Sequence, residues 1–384
     1  MAGAATDLVA YVNKLLPGSA LDFSVEIKKN ELAPVAAAVV PKAAQLLALE
    51  AETDVEGAFS LLFAVVLQLP TDQALAEAQK LLATITGASE GSAIPSLAVV
   101  SASNLFNKAT ALPALRLQAL LQVVELAGKS GNVELVSGYL DSAESLLDAK
   151  TLTIADRRKL HLTIANVLET SEPRATSLKV LAVLEKYLAT FAQVSDAKEL
   201  ATGKAVAERA AKLVLQNSVA SFLARVDLAA SPVVAATLKP GKLYELLDIV
   251  STKTLAEFTA FQKSAGSVFT DNALDETELA DTMRLFTLCS LPTGFKEIPY
   301  ADVAAALAVA EEDVEKWVVR AITSGLVSAK IDQLRRTVVI SRSLERGFGP
   351  EQWQEIDAKL QLYKKNVGGL LDIIRNARRA QEQQ

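Results

Sequence analysis

Few side chains in this sequence could do chemistry, and their spacing excludes most of it. His161 is the single histidine and Cys289 the single cysteine among 384 residues. One imidazole and one thiol cannot build a two-histidine metal centre, a cysteine cluster, an internal histidine relay or an intrachain disulfide. His161 stands at helical spacing from Ile154, Ala165 and Leu168, which suits a structural histidine on a packed helix better than a catalytic one. Gly128-Lys129-Ser130 ends like a phosphate-binding loop, but Val123 occupies the place of that motif's first glycine. Gly128 reads instead as a helix C-cap. Glu311 and Glu312 open a helix, where acids complement the positive end of its dipole. No catalytic, cofactor-binding or metal-binding residue is expected, and the chain does not read as an enzyme.

What remains is charge and apolar surface. The net charge of −6 is uneven: residues 325–384 carry 11 Lys and Arg against 7 Asp and Glu, so residues 1–324 are strongly acidic. Lys330, Arg335, Arg336 and Arg342 lie close together and could touch RNA weakly, although a solvated turn explains the same charges. Trp353, Ile356, Leu360, Tyr363, Val367, Leu370 and Ile374 follow at alternating steps of three and four. That is a heptad seam, the pattern with which a helix meets partner helices. Gly368 and Gly369 lie inside it and weaken the helix by about 1 kcal/mol each relative to alanine. Lys364, Lys365, Arg375, Arg378 and Arg379 ride on the polar side.

The elements carrying these residues are mostly helical. Hydrophobic residues make up 51% of the chain and aromatics 5%, with only 17 Gly and 12 Pro, a composition of helix formers. Leu8, Val12, Leu15 and Leu16 mark a first helix ended by Pro17-Gly18, and Pro34 and Pro41 divide the next stretch. Helices follow near 54–69, 71–85 and 95–107, with Gly87 to Gly91 as the clearest loop. Further amphipathic helices are marked by Leu117, Leu120, Leu121 and Val124, then by Val136, Tyr139, Leu140, Ala143 and Leu147. Leu178, Leu181, Leu184, Leu188 and Phe191 mark another, and Val206, Ala210, Leu213 and Val214 one more. Such helices with short connections pack as successive pairs, and without a fixed period they suggest an irregular solenoid. Pro232, Pro240 and Gly241 interrupt this pattern, and two more helices follow near 242–251 and 254–264.

Only one region leaves the helical period. Leu279 to Cys289 reads as a helix, Ile298 to Leu307 as a lead into a second, and Val314, Trp317, Val318, Ala321 and Ile322 as the buried stripe of a third. Gly325 suits a C-cap, and two β-branched runs follow, Val327 to Ile331 and Thr337 to Ser341. Helix, turn, helix and ribbon make a winged helix. The would-be recognition helix carries Glu311, Glu312, Asp313 and Glu315 against Lys316 and Arg320, which disfavours DNA. A two-stranded ribbon has open edges, so Thr337, Val338, Val339 and Ile340 are expected to offer an edge strand to a neighbour.

A helical solenoid running into a winged helix and a terminal helix resembles the PCI domain family. That architecture is shared by subunits of the proteasome lid, the signalosome and translation initiation factor 3. Lys330 to Gln333, Thr337 to Ile340, Arg346 to Trp353, Leu360 and Asn366 closely resemble the M-subunit family of eukaryotic translation initiation factor 3. Val100 to Asn107 and Arg158 to His161 are similar to that family too, whereas the first 90 residues carry none of its motifs.

The resemblance implies an all-α fold: a right-handed helical-repeat solenoid, a PCI winged-helix unit and a long C-terminal helix. The expected division is 1–174, 175–343 (winged helix about 276–343) and 344–384. It also implies a non-enzymatic scaffold supporting recruitment of the small ribosomal subunit and mRNA, with other PCI and MPN subunits as partners. No cofactor, membrane or small-molecule substrate is expected. The start of the chain lacks a basic stretch before its apolar residues, so no signal peptide is read and a cytoplasmic location is expected. The same fold in the signalosome or proteasome lid, and an RNA-binding adaptor acting through the wing, are the competing readings.

Overall fold

A computed structural model describes residues 2–382 except 17, 19–20, 30, 50, 89–94, 148–151, 172–176, 195, 230, 294–296 and 347–349. The described chain is helical apart from one small sheet, an all-α solenoid followed by a winged helix. It divides into two compact units, 1–206 and 207–384.

In the first unit most main helices pack on a neighbour in sequence and several also on the one beyond it, which is how a solenoid buries its core. The helix Pro95–Lys108 packs on Pro113–Ser130, which also packs on Ile154–Ser171, and that helix packs on Ser177–Ala189. Proline at the first helical position starts two of them, where a missing N–H costs nothing. Phe59, Phe63, Phe106 and Phe191 are fully buried among Leu, Val and Ala side chains. Pro34 sits in the first turn of Ala33–Val39 and Pro41 in the tight turn Val40–Lys42, so the two prolines divide the stretch as expected.

Some local expectations shift. Gly87 is still helical, because Thr71–Ala88 runs through it, and residues 89–91 of the expected loop lie outside the described residues. Leu178 is exposed rather than part of its helix's buried face. Gly128 is not the C-cap. The helix continues to Ser130, and Gly131 takes the left-handed backbone at φ 69°.

Gly128 has a different task, since a Cβ there would stand 2.9 Å from Val167 Cγ2 and 3.0 Å from Cγ1. Alanine would gain about 1 kcal/mol in helix propensity, but pressing on a stiff β-branched neighbour costs roughly 1–3 kcal/mol. Gly128→Ala is therefore expected to lower the thermal unfolding midpoint by a few degrees, read by circular dichroism. A raised midpoint would mean that the two helices separate easily at this contact.

The second unit opens on short helices that include Ser218–Leu223, Lys242–Thr252 and Leu255–Ala265, the last started by a capping box between Thr254 and Glu257. Its winged helix begins with Glu276–Cys289, whose first turn is capped by the Asp275 carboxylate accepting from the N–H groups of Thr277 and Glu278. Those bonds, led by one from the Thr277 hydroxyl, hold the Asp275 carboxyl below its usual range. Then come β1 (Glu297–Pro299), the helix Tyr300–Leu307, the helix Val314–Thr323, β2 (Val327–Asp332) and β3 (Thr337–Ser343). Among the described residues every strand lies in this stretch.

Sheet order is the main departure from the sequence reading. The order is β1-β3-β2, all antiparallel, with a register irregularity at Ser328 and Ala329. Thr337, Val338 and Val339 pair with Pro299, Ile298 and Glu297 on one side and with Asp332, Ile331 and Lys330 on the other. Ile340 pairs with Ala329. The stretch Thr337 to Val339 is therefore central, not an edge. No local pattern signals this, because β1 is three residues long and ends in proline, too short for a period-two signal.

Candidate assembly surface

The terminal helix Pro350–Glu382 is 33 residues long, and Pro350 supplies its first turn. Its apolar seam is largely exposed. Trp353, Leu360, Tyr363, Leu370 and Ile374 are each 60–69% exposed, and Ile356 and Val367 are half-buried. Scattered exposed leucines are ordinary on a protein surface, but seven aligned apolar residues form a continuous strip. Leu362, Leu371 and Ile373 are exposed as well, so the turn from 370 to 374 is apolar on more than one side. The heptad count missed these three because they lie off its two positions.

The sheet offers its edges elsewhere than expected. With β3 in the centre, the edge left unpaired among the described residues belongs to β2 on one side and to β1 on the other. Ser328, Lys330 and Asp332 are the exposed residues of β2, and polar side chains at an edge blunt indiscriminate pairing.

The basic residues of the wing are largely answered from within the unit. Arg335 reaches Glu297 at 3.4 Å and Asp332 at 3.9 Å, and Arg336 reaches Glu311 at 3.2 Å while lying over the Tyr300 ring. Arg336 holds a left-handed backbone, φ 53°, which closes the turn into β3. Lys330 and Arg342 are exposed and have no ion pair among the described residues. Exposed pairs of this kind contribute about 1 kcal/mol or less each, yet they lower the positive potential that a phosphate would meet. Replacing Arg335 and Arg336 by alanine is accordingly expected to change RNA affinity by no more than about threefold in filter binding at physiological salt. A loss of roughly tenfold or more would place RNA on the wing.

On the acidic helix side, Glu315 accepts from the Tyr300 hydroxyl at 3.0 Å and from Gln333 Nε2 at 2.7 Å. Burial, aided by this carboxylate, pushes the Tyr300 phenol up to about 12. Val314, Val318 and Ala321 are buried as the spacing required, but Trp317 and Ile322 are only half-buried. Trp317 lies between Arg284 and Arg320, whose guanidiniums share the Asp281 carboxylate at 2.9 and 2.8 Å.

Neither residue singled out for reactivity stands on an accessible surface. His161 is buried within Ile154–Ser171. Cys289 is buried against the Leu285 and Leu326 carbonyls, and burial pushes its thiol up to about 11, away from the thiolate that reacts. Among the described residues no group of three or more His, Cys, Asp or Glu is placed to hold a metal ion. No described helix is long and apolar enough to cross a membrane.

Helices leading into a winged helix whose long terminal helix stands apart define a class, and residues 262–342 match the family model of the PCI domain. The chain carries a PCI domain over those residues. Its similarity to known proteins extends well beyond that domain, to proteins called eukaryotic translation initiation factor 3 subunit M. The Dictyostelium discoideum protein of that name is 26% identical over 387 residues, covering 98% of this chain and 94% of the relative. Those of Aspergillus oryzae and Neosartorya fischeri are 30% and 31% identical over 74% of this chain. The chain spans only 62% and 61% of those two fungal proteins. The match to the amoebal protein takes in the first 90 residues, where the sequence alone carried no motif of the family.

Proposed function

We propose that the chain is a non-enzymatic scaffold subunit of the eukaryotic translation initiation factor 3 complex, in the position of its M subunit. The observation that carries the reading is the near full-length likeness to a protein of that name, combined with a largely exposed apolar strip along the terminal helix. In this reading residues 1–174 form the solenoid, 175–343 the PCI domain and 344–384 the assembly helix. Trp353, Ile356, Leu360, Tyr363, Val367, Leu370 and Ile374 face helices of other PCI and MPN subunits. The broader apolar girth at 370–374 suits more than one neighbour there.

The protein works in the cytoplasm and reaches the small ribosomal subunit and mRNA by holding other subunits in place. Direct RNA contact through Lys330, Arg335, Arg336 and Arg342 is minor, because two of the four already face carboxylates. Affinity purification of the tagged chain from cell extract, followed by mass spectrometry, tests the assignment. Initiation-factor and ribosomal peptides are the expected result. Enrichment of signalosome or proteasome-lid subunits instead would overturn it.

A further inference from the structure

Between Ser218–Leu223 and the segment that leaves β3 lies a cleft of about 310 Å³. Its arrangement of charge is unusual for a structural contact. Phe222 and Phe286 meet at 5.0 Å between ring centres, and each ring carries a guanidinium: Arg225 at 5.6 Å and Arg346 at 5.5 Å. Both arginines border the cleft. Arg225 donates to the Glu345 carbonyl at 3.0 Å. Arg346 is half-buried, and its polar contacts are a long one to the Val250 carbonyl, 3.5 Å, and the Met283 sulfur at 4.0 Å.

No carboxylate pairs with Arg346 among the described residues, and the exposed Asp227 and Glu345 stand only at the rim. A guanidinium taken out of water normally requires a counter-charge or a full set of acceptors. Ser221, which lines the same cleft and is 1% exposed, has a hydroxyl with no partner. A guanidinium with only two long contacts and a buried hydroxyl with no partner, above a floor of two aromatic rings, call for an oxyanion attached to an apolar body.

We propose that this cleft binds a small apolar carboxylic acid. The carboxylate lies against Arg346 and Arg225 with the Ser221 hydroxyl donating to it, and the hydrocarbon body covers Phe222, Phe286 and Val250. This binding is separate from assembly through the terminal helix.

Octanoate is the probe, added to the purified full-length chain below its micelle-forming concentration, with thermal unfolding as the first readout. Octanoate should raise the midpoint saturably, while 1-octanol, acetate and inorganic phosphate each give a clearly smaller shift. Arg346→Met should weaken octanoate binding by about tenfold or more and should leave the unliganded midpoint equal or higher, since it removes a half-buried charge that no carboxylate offsets. If that variant fails to fold, Arg225→Gln, which alters an exposed side chain, should still weaken octanoate binding. Equal shifts from octanol and octanoate would reduce the cleft to a greasy surface and overturn the proposal. So would shifts from acetate or phosphate as large as that from octanoate, or no octanoate shift at all.

Discussion

Replacing Leu360 and Leu370 together by alanine is expected to abolish retention of the chain in its complex and to leave the purified chain's melting unchanged. The two halves of that result come from one observation. Both side chains are about three-fifths exposed, so the isolated chain loses little contact when they are shortened. Substitutions at such positions change stability by about 0.5 kcal/mol or less each. Inside a bundle the same leucines would be buried, where truncation costs roughly 2–5 kcal/mol apiece. Together that is more than about a thousandfold in affinity. Differential scanning fluorimetry and co-purification read the two halves separately. A large fall in melting temperature with normal co-purification would mean that the seam docks on the chain's own surface.

The second large effect is expected at Val339→Pro, and it is an effect on folding. Val339 pairs with Glu297 in β1 and with Lys330 in β2, between Val338 and Ile340, which are both buried. Proline removes a backbone donor and cannot sit in the middle of a sheet without disrupting it, at a cost of about 3 kcal/mol or more. The winged helix should melt early, and loss of assembly should follow from that rather than from a lost edge. A proline variant that melts normally and fails only in assembly would restore Thr337 to Ile340 as an interface edge. Proline at Lys330 is the complementary change, since β2 has one side unpaired.

Much of the architecture was legible because it is written locally. Leu181, Leu184 and Leu188, or Val314, Val318 and Ala321, recur at helical spacing and are buried at that spacing. The heptad from Trp353 to Ile374 was equally plain, and so was the shift to β-branched runs after Gly325. The failures share a cause. The central place of β3 depends on Glu297 to Pro299, about 40 residues away, and pairing at that distance leaves no mark on either segment's own pattern. Gly128 and Gly131 both lie near one helix end, and only the approach of Val167 and the φ of 69° separate a contact glycine from a cap glycine. Trp317 fits an apolar stripe by type, but Arg284 and Arg320 from two helices hold it half open. Arg346 lies far in sequence from Ser221 and Arg225, and the three bear no motif, so their cleft exists only in the fold.

Photo-crosslinking from the seam tests the assembly reading most directly. Benzoylphenylalanine placed at Tyr363, which is exposed at the middle of the terminal helix, reports whatever lies against that strip in the cell. Crosslinks to other subunits of initiation factor 3, lost on introducing Leu360→Ala with Leu370→Ala, are the expected result. Crosslinks confined to this chain itself, or made to subunits of the signalosome or proteasome lid, would contradict it.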